Sequence, residues 1–247
     1  MKRVLIWDLP VRLFHLLLGV AFVGAFAISQ LADDDGPWFS AHMLLGLLMA
    51  FMVVLRLLWG FFGTRHARLG SFAFGPRAVL RYLGGAIRGR PTRHAGHNPG
   101  AAVAIFVMFV CVIGLAVTGI MMGRGDESVE GVHELLAYGL LVAVIAHLVG
   151  VALHTFRHRE NITRSMIDGT KEADPADAIP SARPLVGLAF LALTALVGWR
   201  LAAGYDPATR TLALPLIGEP LQLGEVEGDE AHRDMRSGPG DEHDDDD

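Results

Sequence analysis

Five apolar blocks, each about membrane-span length, constrain this 247-residue sequence more than any other feature. They lie at about 11–31, 40–62, 99–122, 132–155 and 184–203. At a rise of about 1.5 Å per residue, each covers the roughly 30 Å hydrocarbon core of a bilayer. Lipid offers the backbone no hydrogen-bond partners, so each block is expected to be a helix, and the chain an all-α integral membrane protein. Its charged fraction of 19% falls below the roughly 25% of soluble chains, and 52% of its residues are hydrophobic. An ordinary soluble enzyme, a nucleic-acid binder and a disordered scaffold are all excluded. Cys111 is the single cysteine, so no disulfide can form within the chain, and no C-x-x-C-H motif is present for covalent haem.

The net charge of −5 hides a split. Residues 204–247 hold thirteen acids against Arg210, Arg233 and Arg236, which leaves a basic body before them. The 63–98 connector carries Arg65, Arg68, Arg77, Arg81, Arg88, Arg90 and Arg93 and no acid, and the 156–183 connector begins Arg157-His158-Arg159. The opposite loops hold Asp33-Asp34-Asp35, Asp126-Glu127 and Glu130. By the positive-inside rule the N-terminus and both basic connectors are cytoplasmic, and five spans then place the acidic tail outside. In a Gram-negative cell that means the inner membrane with a periplasmic tail. Lys2-Arg3, an apolar run and Ala25-Phe26-Ala27 imitate a signal peptide, but Asp8, Pro10 and Arg12 interrupt the pattern. Residues 76–88 have apolar and arginine positions at helical spacing, which fits either a helix lying among lipid headgroups or a basic loop that only sets topology.

Ionisable groups inside spans are costly, so four histidines require an account: His15, His42, His133 and His147. His133 and His147 are separated by 14 residues, about 40° short of four full turns, and share one helix face about 21 Å apart. His15 and His147 lie toward the cytoplasmic ends of their spans, while His42 and His133 lie near the outer ends. Two levels result, each with one histidine from the fourth span and one from another. Paired imidazoles facing across a helical bundle suit the axial positions of a haem iron. Any single histidine could equally be an interhelical hydrogen-bonding group. A zinc site is disfavoured because no level gathers a third ligand. His154, seven residues past His147 on the same face, could compete for His15, although an interfacial or quinone-contacting role suits its position better.

The ordered motifs Trp7-Asp8-Leu9-Pro10-Val11-Arg12-Leu13-Phe14-His15, His42 with Gly46, Arg56-x-x-Trp59-Gly60, Gly96-His97-Asn98-Pro99, His133-Glu134 and His147-x-x-Gly150-Val151 resemble one known family. So do His158-Arg159-Glu160-Asn161, Met166 and Gly169-x-Lys171. The family is the bacterial cytochrome b561 and nickel-hydrogenase cytochrome b subunits. The resemblance covers about residues 4–171. It implies a four-helix core with two non-covalent b haems, His15 and His147 on the cytoplasmic-side haem and His42 and His133 on the outer one. The expected organisation is a bundle over 1–171, a cytoplasmic linker over 172–183, a fifth span over 184–203 and a largely disordered acidic tail over 204–247.

Such a chain is expected to pass electrons between the quinone pool and a periplasmic cytochrome c or oxidoreductase subunit. The alternatives are a superoxide:quinone oxidoreductase acting alone, a cytochrome subunit of a hydrogenase or other oxidoreductase, and a non-redox membrane subunit. The acidic tail either attracts a basic partner surface or only solubilises the chain. Arg12 and Arg56, near the cytoplasmic ends of their spans, could pair with haem propionates or simply snorkel. Pro215–Leu223 is too short and proline-broken to span again, and reads as a small ordered patch outside.

Overall fold

The computed structural model describes residues 2–33, 36, 38–88, 94–213 and 220–223, together with the backbone but not the side chains of residues 86, 87 and 158. Among the described residues, five helices are long and apolar enough to cross a membrane. They are α1 (Leu9–Leu31), α2 (Phe39–Phe62), α4 (Pro99–Met122), α5 (Glu130–His158) and α7 (Pro184–Gly204). A shorter α3 (Pro76–Ile87) and a single-turn α6 (Ser165–Asp168) lie in the two long connectors. Chemistry written in the sequence sets several helix starts. Asp8 accepts from the Val11 amide and Asn98 from the Ala101 amide, each followed within two residues by a proline whose fixed φ suits the first turn.

Helix α1 packs chiefly against α2 and α7, and α4 against α5 and α2. Helix α5 makes its main contacts with α4 and presents its histidine face across a slot toward α1 and α2. The central core joins Phe14, Ala21, Met52, Val53, Phe109, Val112 and Leu140. Phe14 stands edge-on to both Phe109 and Phe190 at 5.9 and 6.4 Å, tying α1 to α4 and α7. The fifth membrane helix thus backs the bundle from α1 and α2. Gly187 makes this docking close, because a Cβ added there would stand 2.7 Å from Leu9. Gly187→Leu is expected to pry α7 from α1 and destabilise the detergent-solubilised protein by an amount typical of overpacking, about 1–3 kcal/mol, read as a lower thermal midpoint.

Both ends are closed by small sheets. At the basic end, β1 (Lys2–Leu5) pairs antiparallel with β2 (Thr170–Ala173), so the extreme N-terminus holds the connector after α5. Gly169 makes the join. Its carbonyl accepts from the Ile6 and Trp7 amides at 2.9 and 3.0 Å, its φ is +79°, and a Cβ there would meet the Trp7 carbonyl at 2.8 Å. At the opposite end, β3 (Tyr205–Asp206), β4 (Thr211–Leu212) and β5 (Leu221–Gln222) form an antiparallel sheet.

That second sheet orders residues 205–206, 211–212 and 221–222 of the region beyond the fifth span. Leu212, Leu221 and Leu223 are fully buried against Leu201, Met43, Leu44 and Ile120, and this burial contributes to ordering the segment together with its backbone hydrogen bonds. Ser40 donates to the Leu223 carbonyl at 2.7 Å, Tyr205 donates to Ser40 at 2.8 Å, and the Gln222 amide donates to the Gly123 carbonyl. The ordered patch expected at 215–223 is therefore seen for its last residues, 220–223, while 214–219 and the acidic block from 224 lie outside the described residues.

Candidate haem-binding site

Each level of histidines comes together in space. The rings of His15 on α1 and His147 on α5 stand with centroids 6.3 Å apart, and those of His42 on α2 and His133 on α5 stand 6.4 Å apart. With metal–imidazole bonds of about 2 Å and a ring centroid about 1.1 Å beyond each nitrogen, two imidazoles on opposite sides of one metal ion are separated by about 6 Å. Neither level offers more than these two ligands, and no cluster of three or more His, Cys, Asp or Glu that could hold a metal exists among the described residues. Two opposed imidazoles with nothing else suit an iron whose other four donors come from a macrocycle, so the donor set fits haem.

Glycines give that macrocycle room. Gly19 follows His15 by one helical turn and Gly46 follows His42 by one turn, and a Cβ added at either meets nothing within 4 Å. Gly150, three residues after His147, is similarly open.

At the acidic end the backbone orients the rings. His42 Nδ1 donates to the Ala25 carbonyl of α1 at 2.8 Å. His133 Nδ1 lies 2.8 Å from Thr118 Oγ1, whose own proton is committed to the Gly114 carbonyl of the preceding turn, so the ring donates and the hydroxyl accepts. Both bonds place the proton on Nδ1 and leave Nε2 as the free lone pair, the usual arrangement behind a metal-binding histidine. Thr118→Val keeps the shape and removes the acceptor. The expected result is about a 10-fold weaker hold on the cofactor of this level, read as loss of one haem on dilution while the other is retained.

The basic end carries a buried polar nexus. Asp8, 1% exposed, accepts from Trp59 Nε1 at 3.0 Å, from Thr64 Oγ1 at 2.7 Å and from the Val11 amide, thereby pinning the start of α1 to the end of α2. Arg56, 3% exposed, donates through Nη2 to the Ala67 carbonyl at 3.0 Å and lies over the Phe72 ring at 5.9 Å. Arg12 has different partners, the Met166 and Ile167 carbonyls, so its guanidinium closes the C-terminal turn of α6. His154 Nε2 lies 3.6 Å from Glu160 Oε2, and it is His147 whose ring faces His15.

Two residues here were not singled out for the site in the sequence. Asp8 could have been found from Asp8-Leu9-Pro10, which reads as a helix cap. His97, in the Gly96-His97-Asn98-Pro99 motif, packs its ring 4.7 Å from Trp7 and 4.4 Å from Phe72. Burial first, and then the charges of Arg56, His66, His147 and Lys171, push the His97 imidazole down to about 3. Its folded value lies below that of an exposed imidazole, so folding releases a proton. The stabilisation is full above pH about 6.5 and is lost as pH falls toward 3. The thermal midpoint of the wild type is accordingly expected to fall as pH drops from 6.5 to 4, and less steeply in His97→Asn.

Helix topology, paired imidazoles and glycine-lined slot together define a multi-pass membrane protein of the b-type cytochrome class. Residues 6–169 match the family model for prokaryotic cytochrome b561, and the chain belongs to that family, whose cofactor is haem b. Similar curated proteins are named probable Ni/Fe-hydrogenase B-type cytochrome subunits. The one from Rhizobium leguminosarum bv. viciae is 26% identical over 215 residues, covering 69% of this chain and 89% of that protein. That from Cupriavidus necator is 25% identical, covering 68% and 86%, and that from Bradyrhizobium diazoefficiens is 23% identical, covering 68% and 86%. No solved structure matches the chain significantly.

Proposed function

We propose that this chain is a di-haem b-type cytochrome that carries electrons across the membrane between the quinone pool and a redox partner at its acidic end. The observation that supports it best is the pair of imidazole pairs, at 6.3 and 6.4 Å, at two levels of one helical bundle. In this reading His15 and His147 hold one haem and His42 and His133 the other, and α5, contributing a ligand to each, spaces the two by about four turns. Bound haem b supplies the one-electron chemistry. The residues of the chain do the rest. Ala25 and Thr118 hold the outer imidazoles by Nδ1 and keep them aimed. Phe14, Val53 and Phe109 exclude water between the levels. Arg12 and Arg56 place positive charge at the basic end, where carboxylates of a haem would emerge. That end faces the cytoplasm and the opposite end the periplasm, by the arginine bias of the connectors.

In proteoliposomes, quinol is expected to reduce the cytochrome, and an added water-soluble acceptor outside to reoxidise it. A purified cytochrome that quinol cannot reduce would contradict the assignment. The printed names of the relatives favour a second reading, in which the partner is a hydrogenase and this chain is its membrane subunit. Reduction of the haem by a co-purified hydrogenase with hydrogen would select that reading. Reduction by superoxide with no partner present would select a superoxide:quinone oxidoreductase.

A further inference from the structure

Among the described residues, Arg56 Nη1 and His97 Nδ1, two buried nitrogens at the basic end, have no hydrogen-bond partner. They belong to different elements, α2 and the cap segment before α4, yet converge on one residue. Arg56 Cζ lies 5.9 Å over the Phe72 ring, and the His97 ring stands 4.4 Å from it. Phe72 is fully buried, so neither group can turn away to water on that side. The remaining walls are committed. Trp7 packs on His97 and donates to Ser165, and Arg56 Nη2 is held by the Ala67 carbonyl. Buried polar nitrogens are almost always satisfied, and two left over around one phenylalanine ring call for a partner, which for the Arg56 guanidinium must be an acceptor.

The position says which acceptor. Arg56 lies 14 residues after His42 on α2, as His147 lies 14 residues after His133 on α5. Fourteen residues return a helix to nearly the same face about 21 Å further along. Arg56 therefore faces the haem slot at the level of the His15–His147 pair, and His97 lies within electrostatic range of both Arg56 and His147. Two N–H donors, one on a permanent cation, make a fork suited to a carboxylate.

We propose that Arg56 and His97 together bind a propionate of the haem held by His15 and His147, with His97 donating through Nδ1. The inference rests on the di-haem reading and names a binding residue that the imidazole pairs do not include. In this pairing His97 contributes a hydrogen bond, and Arg56 the charge. Both favour the reduced haem by offsetting the negative propionate beside it.

The test is a spectroelectrochemical titration of the purified holoprotein. His97→Phe is expected to lower the midpoint potential of one haem and leave the other unchanged, with haem content unaltered. The haem that moves must be the one missing from His15→Leu. His97→Asn, whose side-chain amide stands where Nδ1 does, restores the potential, and His97→Gln does not. Arg56→Gln gives an independent arm, lowering the same potential with His97 intact. Two haems whose potentials are the same in His97→Phe, Arg56→Gln and the wild type would overturn the proposal while leaving the di-haem reading in place. So would unchanged potentials with slowed reduction by quinol, which would assign the pair to quinone. A wild type without haem overturns both.

Discussion

His147→Leu is expected to cut bound haem from two per chain to one, and His15→Leu to remove the same haem. In the di-haem reading both ligands serve one iron, so the double variant His15→Leu/His147→Leu should lose no more than either single one, a complete failure of additivity. His15→Leu/His42→Leu, which breaks both levels, should retain none. The two haems are expected to differ in low-spin electron paramagnetic resonance, because the rings differ in hydrogen bonding: the acidic-end pair is oriented by Ala25 and Thr118. Each single variant should therefore remove one signal cleanly. Loss of both haems from every single variant would mean that the levels are not separate sites.

The second large effect is on stability. Asp8→Ala should lower the unfolding free energy by about 3 kcal/mol, one part from the lost helix cap and the larger part from Trp59 Nε1 and Thr64 Oγ1 left without their acceptor in a buried place. For a chain of this size that corresponds to a fall in thermal midpoint on the order of 10 °C, measured by circular dichroism in detergent. Asp8→Asn keeps one oxygen and should fall between the two. A change of a degree or less in Asp8→Ala would show that the basic end is held by the β1–β2 pairing instead.

Much of this architecture can be read before any coordinates, and the reasons are local. Asp8 and Asn98 announce helix starts because a capping side chain and a following proline act within three residues. The histidine levels are legible because 14 residues return a helix to one face, and position along a membrane span is a depth coordinate that soluble proteins lack. What is hidden depends on long-range packing. Helix α7 is apolar on every side, so no stripe reveals that it docks on α1 through Gly187 and Leu9. Residues 2–5 and 170–173 pair across most of the chain, and neither alternates strongly enough to call for a strand. The sheet at 205–223 rests on three leucines whose burial depends on Met43, Leu44 and Ile120 in other helices. Arg12 illustrates the same limit. An arginine near a span end has many anions and carbonyls within reach, and the α6 carbonyls come within reach only once β1 and β2 have joined.

The slot itself is a physical consequence of the packing order. Helix α5 rests mainly on α4 and faces α1 and α2 through histidines and glycines, so its position depends on what lies between them. Cofactor binding and folding should be linked accordingly, since a ligand that binds only the folded state stabilises it by mass action.

The most direct measurement of the central claim is a pyridine haemochrome assay with haem-to-protein stoichiometry on the purified chain. The paired imidazoles predict two b-type haems per chain, released intact by acid–acetone because no thioether holds them. One haem per chain, or none, would contradict the di-haem account.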